Sequence, residues 1–559
     1  MKHRNVLEKT LVPTNTNRTY NSSKRTQSRA GNPSRRISIK LANLLIGLIL
    51  GVILFGIIIL HRRLDELEAT SHAKKIAKNK GIKVDHLPIQ ASNNKQIISS
   101  HIRGRGVGSA RGQVECDADI SSLVSYWDDP LSDADRSFRS PFWEQSNEKQ
   151  KKYVSFEPDM GGFNNVRMEF EIMLVFAAAT GRTLIMPPDA PHYLLQRDAT
   201  MKYRGLQHFF HKFDDVVDVI STEDFYNIEV LDHQNSFQPP KEEELPKLLN
   251  AISKCDIRKK SKISCEIIYE HLSEIAEFVP EWEGEQDCLI MDDKNWLKDT
   301  HGEVTDEIKR FCGTRVPAYY NSTIHNAQLI HFHTGANHKE TRLLSQYYAF
   351  IHFTNPKLGN YYKRLIRNRC RYSDEIMCSS GKIIQRLMGE QNDTKNNSFS
   401  TMHIRRGDFQ WKSMRISAEE WYENTKDVLH PGETVYIATD ETNRTFFEPL
   451  ATHYNLNFLS DYQDVVNQVD PNFIGMIDQV VCSRGRVFVG TYFSSFSAYI
   501  GRIRGYHGTS NKQMFYGQRE RKYETHSWQY PHSSYSAREY PTAWNGIDGD
   551  TEPSELDFF

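Results

Sequence analysis

The chain has 559 residues, enough for two sizeable cores with segments left over. Its 70 Lys and Arg stand against 71 Asp and Glu, a formal net charge of −1, so no global basic surface points to nucleic acid. The charge is uneven along the chain, however, and that unevenness marks the first element.

Residues 1–40 carry ten basic residues and a single acid, Glu8, among many Ser, Thr and Asn, and are expected to form a disordered cytosolic tail. Residues 41–60, LANLLIGLILGVILFGIIIL, are uncharged and almost wholly apolar. Twenty helical residues at about 1.5 Å each span the roughly 30 Å hydrocarbon layer once. A cleaved leader would have a shorter apolar stretch nearer the start, followed by a small-residue cleavage site. One transmembrane helix is therefore predicted. Six Lys/Arg lie in the twenty residues on each side of it, so flanking charge does not orient it. All eight cysteines follow the span, in spacings that match no zinc pattern, which suits disulfides in an oxidising compartment. Sequons at Asn321, Asn392, Asn396 and Asn443 also follow it, although two more, at Asn17 and Asn21, lie in the tail. The expectation is a single-pass type II protein of the endoplasmic reticulum or Golgi membrane, with its large C-terminal part in the lumen.

Residues 61–150 read as stem and linker, with order beginning near Cys116. The run RGRGVGSARG (103–112) follows no strand and lacks the G-x-G-x-x-G spacing, so it is no nucleotide fingerprint. An N-terminal Rossmann-like domain is predicted over 151–355. It opens as strand, Gly161-Gly162 turn, helix capped by Asn164 or Asn165 and closed by Gly181, then strand Thr183 to Met186. Glycines before a helix N-terminus suit an anion. Polar helices and a proline-rich linker (239–246) follow. Then come a strand from Leu329 and a helix over 337–353, whose apolar residues recur at three- and four-residue steps. A loop near Pro356 leads to the second domain, 356–520. There strands at Phe399 to Ile404, Thr434 to Asp440 and Val487 to Gly490 alternate with helices, the pattern of a doubly wound parallel α/β sheet. Residues 521–559 form a C-terminal tail.

Three strand ends in that second domain carry chemistry. The first supplies Arg405, Arg406 and Asp408, the second Asp440, the third Ser494, Ser495 and Ser497. In a parallel sheet these ends share one edge, where guanidiniums and hydroxyls could close on a phosphate-bearing ligand. His325, His331, His333 and His338 crowd one stretch, but no cysteine or carboxylate completes a metal set in the sequence, so they read as cleft-lining residues and no metal is expected. Asp133-Ala-Asp135 and Asp548-Gly-Asp550 mimic a metal-binding DxD, yet no apolar strand leads into either, and both read as loops.

GGFNNVRMEFE (161–171), HIRRGDF (403–409), YIATDE (436–441) and DQVVCSRGRVFVGTYFSSFSAYIGRIRGY (478–506) resemble the GDP-fucose protein O-fucosyltransferase superfamily, in its plant, fungal and protist branch. YPTAWNGID (540–548) is similar to some members. The resemblance implies two Rossmann-like domains facing across a cleft (GT-B-like), inverting transfer of fucose from GDP-fucose to a protein or glycan hydroxyl, and no metal or other cofactor. By position, Arg405 resembles the arginine that neutralises the leaving diphosphate, and His403 its strand partner. Asp478 resembles the carboxylate that recognises the nucleoside, Ser494 and Ser495 the phosphate-binding residues, and Asn165 the asparagine facing the reacting centre. Some members place a glutamate where Gly161 stands here, which leaves Asp159 or Glu157 as candidate bases. A transferase of similar fold using another nucleotide sugar, or a glycan-binding protein that has lost transfer, are the alternatives.

Overall fold

The computed structural model describes residues 122–124, 133–143, 151–159, 161–188, 209–211, 213–232, 237–255, 263–298, 304–333, 341–389, 398–527 and 538–549. The basic tail, the apolar span 41–60, His338, Asp550 and the sequons at Asn392 and Asn396 lie outside them. Among the described residues, no helix is long and apolar enough to cross a membrane.

Short strands build the first half, fully buried at the centre and only part-buried at the edges. Strand β1, Tyr153–Phe156, is buried at every position, as a central parallel strand must be. Helix α1, Phe163–Thr180, follows, rich in Ala, Phe, Met and Val and buried nearly all round. It ends at Gly181, whose φ of 69° is left-handed. A Cβ there would meet the Trp143 indole at 2.9 Å, so both backbone and packing require glycine. Then come β2 (Thr183–Met186), β3 (Val219–Ser221), helix α2 (Glu266–Ile275), β4 (Asp287–Met291), β5 (Val316–Tyr319), β6 (Leu329–Phe332) and β7 (Ile351–Phe353). One parallel sheet runs β3-β2-β1-β6, and a smaller one runs β5-β4-β7. In the larger sheet the chain steps outward from β1 to β3, then returns to the far side of β1 with β6. The winding reverses between β1 and β6.

The second half begins with helices α3 (Pro356–Arg369) and α4 (Asp374–Gly389). Strands β8 (Ser400–Ile404), β9 (Thr434–Thr439), β10 (Asn455–Phe458), β11 (Phe488–Gly490) and β12 (Met514–Tyr516) form a parallel sheet in the order β10-β9-β8-β11-β12. Helix α5 (Ala418–Thr425) connects β8 to β9, α6 (Ile474–Ser483) precedes β11, and α7 (Ser495–Tyr506) follows it. The winding reverses between β8 and β11, so the crevice for ligands lies beyond their carboxyl ends. Both halves belong to one compact unit, and the α/β class with parallel sheets is as expected.

Several expectations are corrected. Gly162, not Asn164 or Asn165, is the N-cap of α1, and the two asparagines lie in its first turn. The helix expected over 337–353 is absent from its described part: residues 342–346 are irregular, Tyr347–Phe350 makes one turn, and β7 follows. The β-branched and aromatic Ile351-His352-Phe353 completes the small sheet instead. Pro356 is no linker loop but the first turn of α3, capped by Asn355, whose side chain accepts from the Lys357 amide at 3.2 Å. Residues 133–143 of the expected stem are packed in, with Phe142 fully buried and the Ser140 hydroxyl bonded to the Ala179 carbonyl at 2.6 Å. Residues 538–549 of the expected tail are also core, including buried Glu539, Trp544 and Ile547. Disulfides join Cys255 to Cys265 and Cys288 to Cys312, and Cys378 is bonded too, whereas Cys370 and Cys482 are buried free thiols.

Candidate active site

The site is built at the reversal between β8 and β11. Strand alternation puts His403 and Arg405 on one face and Arg406 on the other. The Arg405 amide donates to Thr491 Oγ1 at 3.1 Å, and that hydroxyl donates to the His403 carbonyl at 2.8 Å, which ties the two strand ends together. The Arg405 guanidinium is held from two sides, by Asp440 and by Asp408. Asp440 also accepts from the Arg406 amide at 2.7 Å and is part-buried, whereas the Asp408 side chain is 72 % exposed. Gly407 permits the Asp440 contact: a Cβ there would come within 3.1 Å of Asp440 Cγ and closer still to its Oδ2.

Beyond β11 the chain turns through Phe493, whose φ of 60° is unusual for an aromatic residue, and Trp411 stacks on its ring at 4.7 Å. That turn starts α7 at Ser495, with Ser494 at the N-cap making no side-chain capping bond. The first N–H groups of α7 and its dipole are therefore presented at the same edge as Arg405. On that face of the sheet the Tyr436 hydroxyl donates to Asp478 Oδ1 at 2.6 Å. Burial raises the Asp478 carboxyl to about 7, the Tyr436 bond only partly opposing the shift. His403 is driven down to about 3 by burial and by Arg405 beside it, so its ring is neutral at working pH.

The two halves meet at the N-termini of α1 and α7. Ser495 Oγ donates to Asn165 Oδ1 at 2.9 Å, and Gln479 Nε2 donates to Asn164 Oδ1 at 3.1 Å. Asn165, expected at the reacting centre, thus touches the N-terminus of α7 directly.

Other expected residues are placed differently. Ser497 is fully buried, its hydroxyl shared between His403 Nδ1 at 2.7 Å and the Thr491 amide at 3.0 Å, so it positions the strand ends and does not face a ligand. Arg406 is no second clamp: it pairs with Glu441 at 2.9 Å and lies over the Phe446 ring at 3.8 Å. Asp408 and Asp440 contact the guanidinium, an arrangement that orients Arg405 rather than binding phosphate. Asp159 is also spent. It is buried, paired through both oxygens with Arg342 (2.9 Å for Nη2 to Oδ1), and it accepts from the Gly161 amide. A carboxylate so saturated is a poor general base. Gly161 is needed for close approach, because a Cβ would sit 2.6 Å from Asp159 Oδ1 and 3.0 Å from Arg342 Nη2. The DxD look-alikes are likewise engaged. Asp135 forms a bidentate pair with Arg364 at 2.9 and 2.8 Å, and Asp548 pairs with Arg367. The sequons at Asn321 and Asn443 cap short helical turns, with Asn443 exposed.

The histidines also divide. His325 stands apart, its Nδ1 bonded to the Tyr320 hydroxyl at 2.9 Å. His331 and His333, by contrast, share a carboxylate, Glu157, that the sequence places 174 and 176 residues away. The expectation that no carboxylate completes a set with them is therefore wrong. Thr491, Tyr436 and Arg342 were missed too. Strand parity could have found Tyr436; nothing in the sequence singles out Arg342, which lies in an irregular segment.

A family model for GDP-fucose protein O-fucosyltransferases matches residues 153–507, more than half of the chain. The chain belongs to that family. It is thereby grouped with the GDP-fucose-dependent fucosyltransferases, and the matched stretch runs from β1 to just past α7. Among solved structures, the chain is similar to POFUT1 in complex with GDP-fucose, at 13 % identity and a TM-score of 0.32, covering 66 % of this chain and 97 % of that one. It is also similar to the fucosyltransferase NodZ from Bradyrhizobium, at 13 % identity and a TM-score of 0.33, covering 64 % and 94 %. No curated protein matches the chain in a sequence search.

Proposed function

We propose that the protein moves fucose from GDP-fucose to a hydroxyl of a protein or glycan, with inversion, in the lumen of the secretory pathway, anchored by residues 41–60. The observation that carries the donor half of this reading is the Arg405 guanidinium at the sheet's reversal point, on the same edge as the N-terminus of α7. As the sugar–phosphate bond breaks, negative charge accumulates on the departing diphosphate. Hydrogen bonds from Arg405 and from the α7 amides then strengthen in the transition state, which is what accelerates the step. In the free protein Asp408 takes one side of Arg405. Its exposed side chain can swing away, so a diphosphate takes its place while Asp440 keeps the guanidinium aimed. The ionised Asp478 carboxylate suits the N–H edge of a guanine base, and the neutral His403 adds no charge to the pocket. The two halves are read as facing Rossmann-like domains, with the acceptor on the α1 side and no metal required for the diphosphate.

Turnover of GDP-fucose, followed as fucose release, tests this. Arg405→Ala is expected to lower kcat on the order of 100-fold, about 3 kcal/mol; turnover equal to that of the unaltered protein overturns the clamp. Calorimetric titration with GDP, GDP-fucose and UDP-sugars separates donors. Binding of a UDP-sugar in preference to GDP-fucose would assign another nucleotide sugar, and donor binding without any turnover would leave a glycan-binding protein.

A further inference from the structure

The larger sheet of the first half has its own reversal point, between β1 and β6, and the donor half of the fucosyl-transfer reading assigns nothing to it. Beyond the carboxyl ends of those strands lie Glu157 and His333, with His331 one step back on β6. The Glu157 amide extends the ladder by donating to the Phe332 carbonyl at 3.1 Å, which fixes the register of the three residues.

We propose that Glu157, His331 and His333 form a binding site for a divalent transition-metal ion, zinc foremost. The ligand atoms converge. Glu157 Oε1 lies 2.8 Å from His333 Nδ1 and 3.6 Å from His331 Nε2, and one candidate ligand atom from each residue falls within 4.8 Å of the others. Two ligands on one zinc ion, at about 2.0–2.2 Å and subtending roughly 90–120°, are themselves separated by about 3–3.7 Å. The 3.6 Å separation is too long for a hydrogen bond but matches adjacent ligands of one ion, whereas the 2.8 Å Glu157–His333 contact is a hydrogen bond that an ion would replace. The imidazole rings stand nearly perpendicular, at 86°, with centroids 5.1 Å apart, and they offer different nitrogens to the same oxygen.

The remote nitrogens are anchored as well. His331 Nδ1 is hydrogen-bonded to Ser155 Oγ at 2.9 Å, and His333 Nε2 to Ser273 Oγ at 3.0 Å. Each ring is thus oriented through the nitrogen that does not face Glu157, as metal-bound histidines usually are. Tyr269, one turn before Ser273 on α2, stacks on His331 at 6.4 Å, so three elements wall the site. Glu157 and His331 are buried while the His333 side chain keeps 21 % exposure, leaving one side open for a fourth ligand from solvent or substrate. Two histidines and one carboxylate with an open position suit zinc and its neighbours in the first transition row better than magnesium or calcium, which prefer oxygen alone.

The test is stoichiometric uptake by the purified full-length chain after chelator dialysis. Equilibrium dialysis against Zn(II), with metal counted by mass spectrometry, is expected to give one equivalent. Co(II) loading is expected to give visible ligand-field bands of a nitrogen and oxygen site, without the intense charge-transfer absorption of the free thiols Cys370 and Cys482. Glu157→Gln and His333→Ala should each abolish uptake, and Ser273→Ala should weaken it on the order of tenfold. GDP affinity, which reports on the other half of the molecule, is expected to be unchanged in all three and shows that each has folded. Absence of a stoichiometric ion in the unaltered protein overturns the proposal, and identifies the cluster as a hydrogen-bonded His–Glu relay. Uptake that survives in folded Glu157→Gln and His333→Ala overturns it equally.

Discussion

Arg405 shows how much one side chain's direction decides. Two adjacent arginines in a strand end look like a pair, but a period of two residues sends them to opposite faces. Arg405 reaches the crevice, while Arg406 is absorbed by Glu441 and Phe446. The sequence therefore contained the distinction, and the paired reading of the two guanidiniums overlooked it. Gly407 is part of the same device. Gly407→Ala is expected to push Asp440 off Arg405 and reduce turnover at least tenfold with little loss of stability, measured as kcat beside the thermal midpoint. Asp478 gives the pH signature. Its carboxyl is raised from 3.8 to about 7 by burial. A carboxyl raised on folding stabilises the fold in its neutral form, fully below about pH 4, and that contribution is lost as pH rises through 7. Donor binding runs the other way, because the ionised carboxylate is the form that accepts from guanine. GDP affinity should fall as pH drops from 8 to 6, and Asp478→Asn should flatten both profiles. A GDP affinity with the same slope in Asp478→Asn would remove the nucleoside role.

At the scale of elements, the strands that ended in chemistry were readable and those that did not were not. β8, β9 and β11 are apolar runs followed by charged or hydroxyl residues, and their observed bounds lie within one residue of those the sequence predicts. β4, β5, β7 and β12 are three to five residues long and sit among polar stretches, too short for a period to register. The apolar spacing in 341–353 misled for a physical reason. Leu343, Tyr347 and Ile351 are buried because an irregular segment threads the core, not because one helical face does. Helices α1 and α7 carry the strongest element-level prediction. Arg167 and Glu171 on α1 and Arg502 on α7 are fully buried and ion-paired, with Arg502 also reaching Glu539 and Gln346. Removing one member strands a buried charge. Arg502→Ala is expected to lower unfolding free energy by about 3–5 kcal/mol, read from the shift in urea midpoint.

For the whole molecule, composition showed a large α/β body behind an apolar span, but not where the body begins or ends. Phe142 and Trp544 are core residues embedded in polar, charge-rich and tyrosine-rich surroundings respectively, where composition alone suggests stem and tail. Truncation before residue 538 is therefore expected to unfold the body rather than trim it, seen as loss of soluble, GDP-binding protein. The disulfides act at this scale too. Cys288–Cys312 closes a loop of 24 residues, and reducing it should cost roughly 3 kcal/mol through the unfolded chain.

The buried charges between α1 and α7 limit how the protein can admit its substrates. Prising the halves apart would break the buried Arg502–Glu171 pair and the Arg502–Gln346 hydrogen bond, while Arg167–Glu171 and Arg502–Glu539 stay paired within their own halves. Such a hinge is opposed by these buried contacts, and the halves are expected to travel together. Entry and exit then fall to short segments at the rim, such as the turn around Asp408 and Trp411, and turnover should track the motion of those few residues.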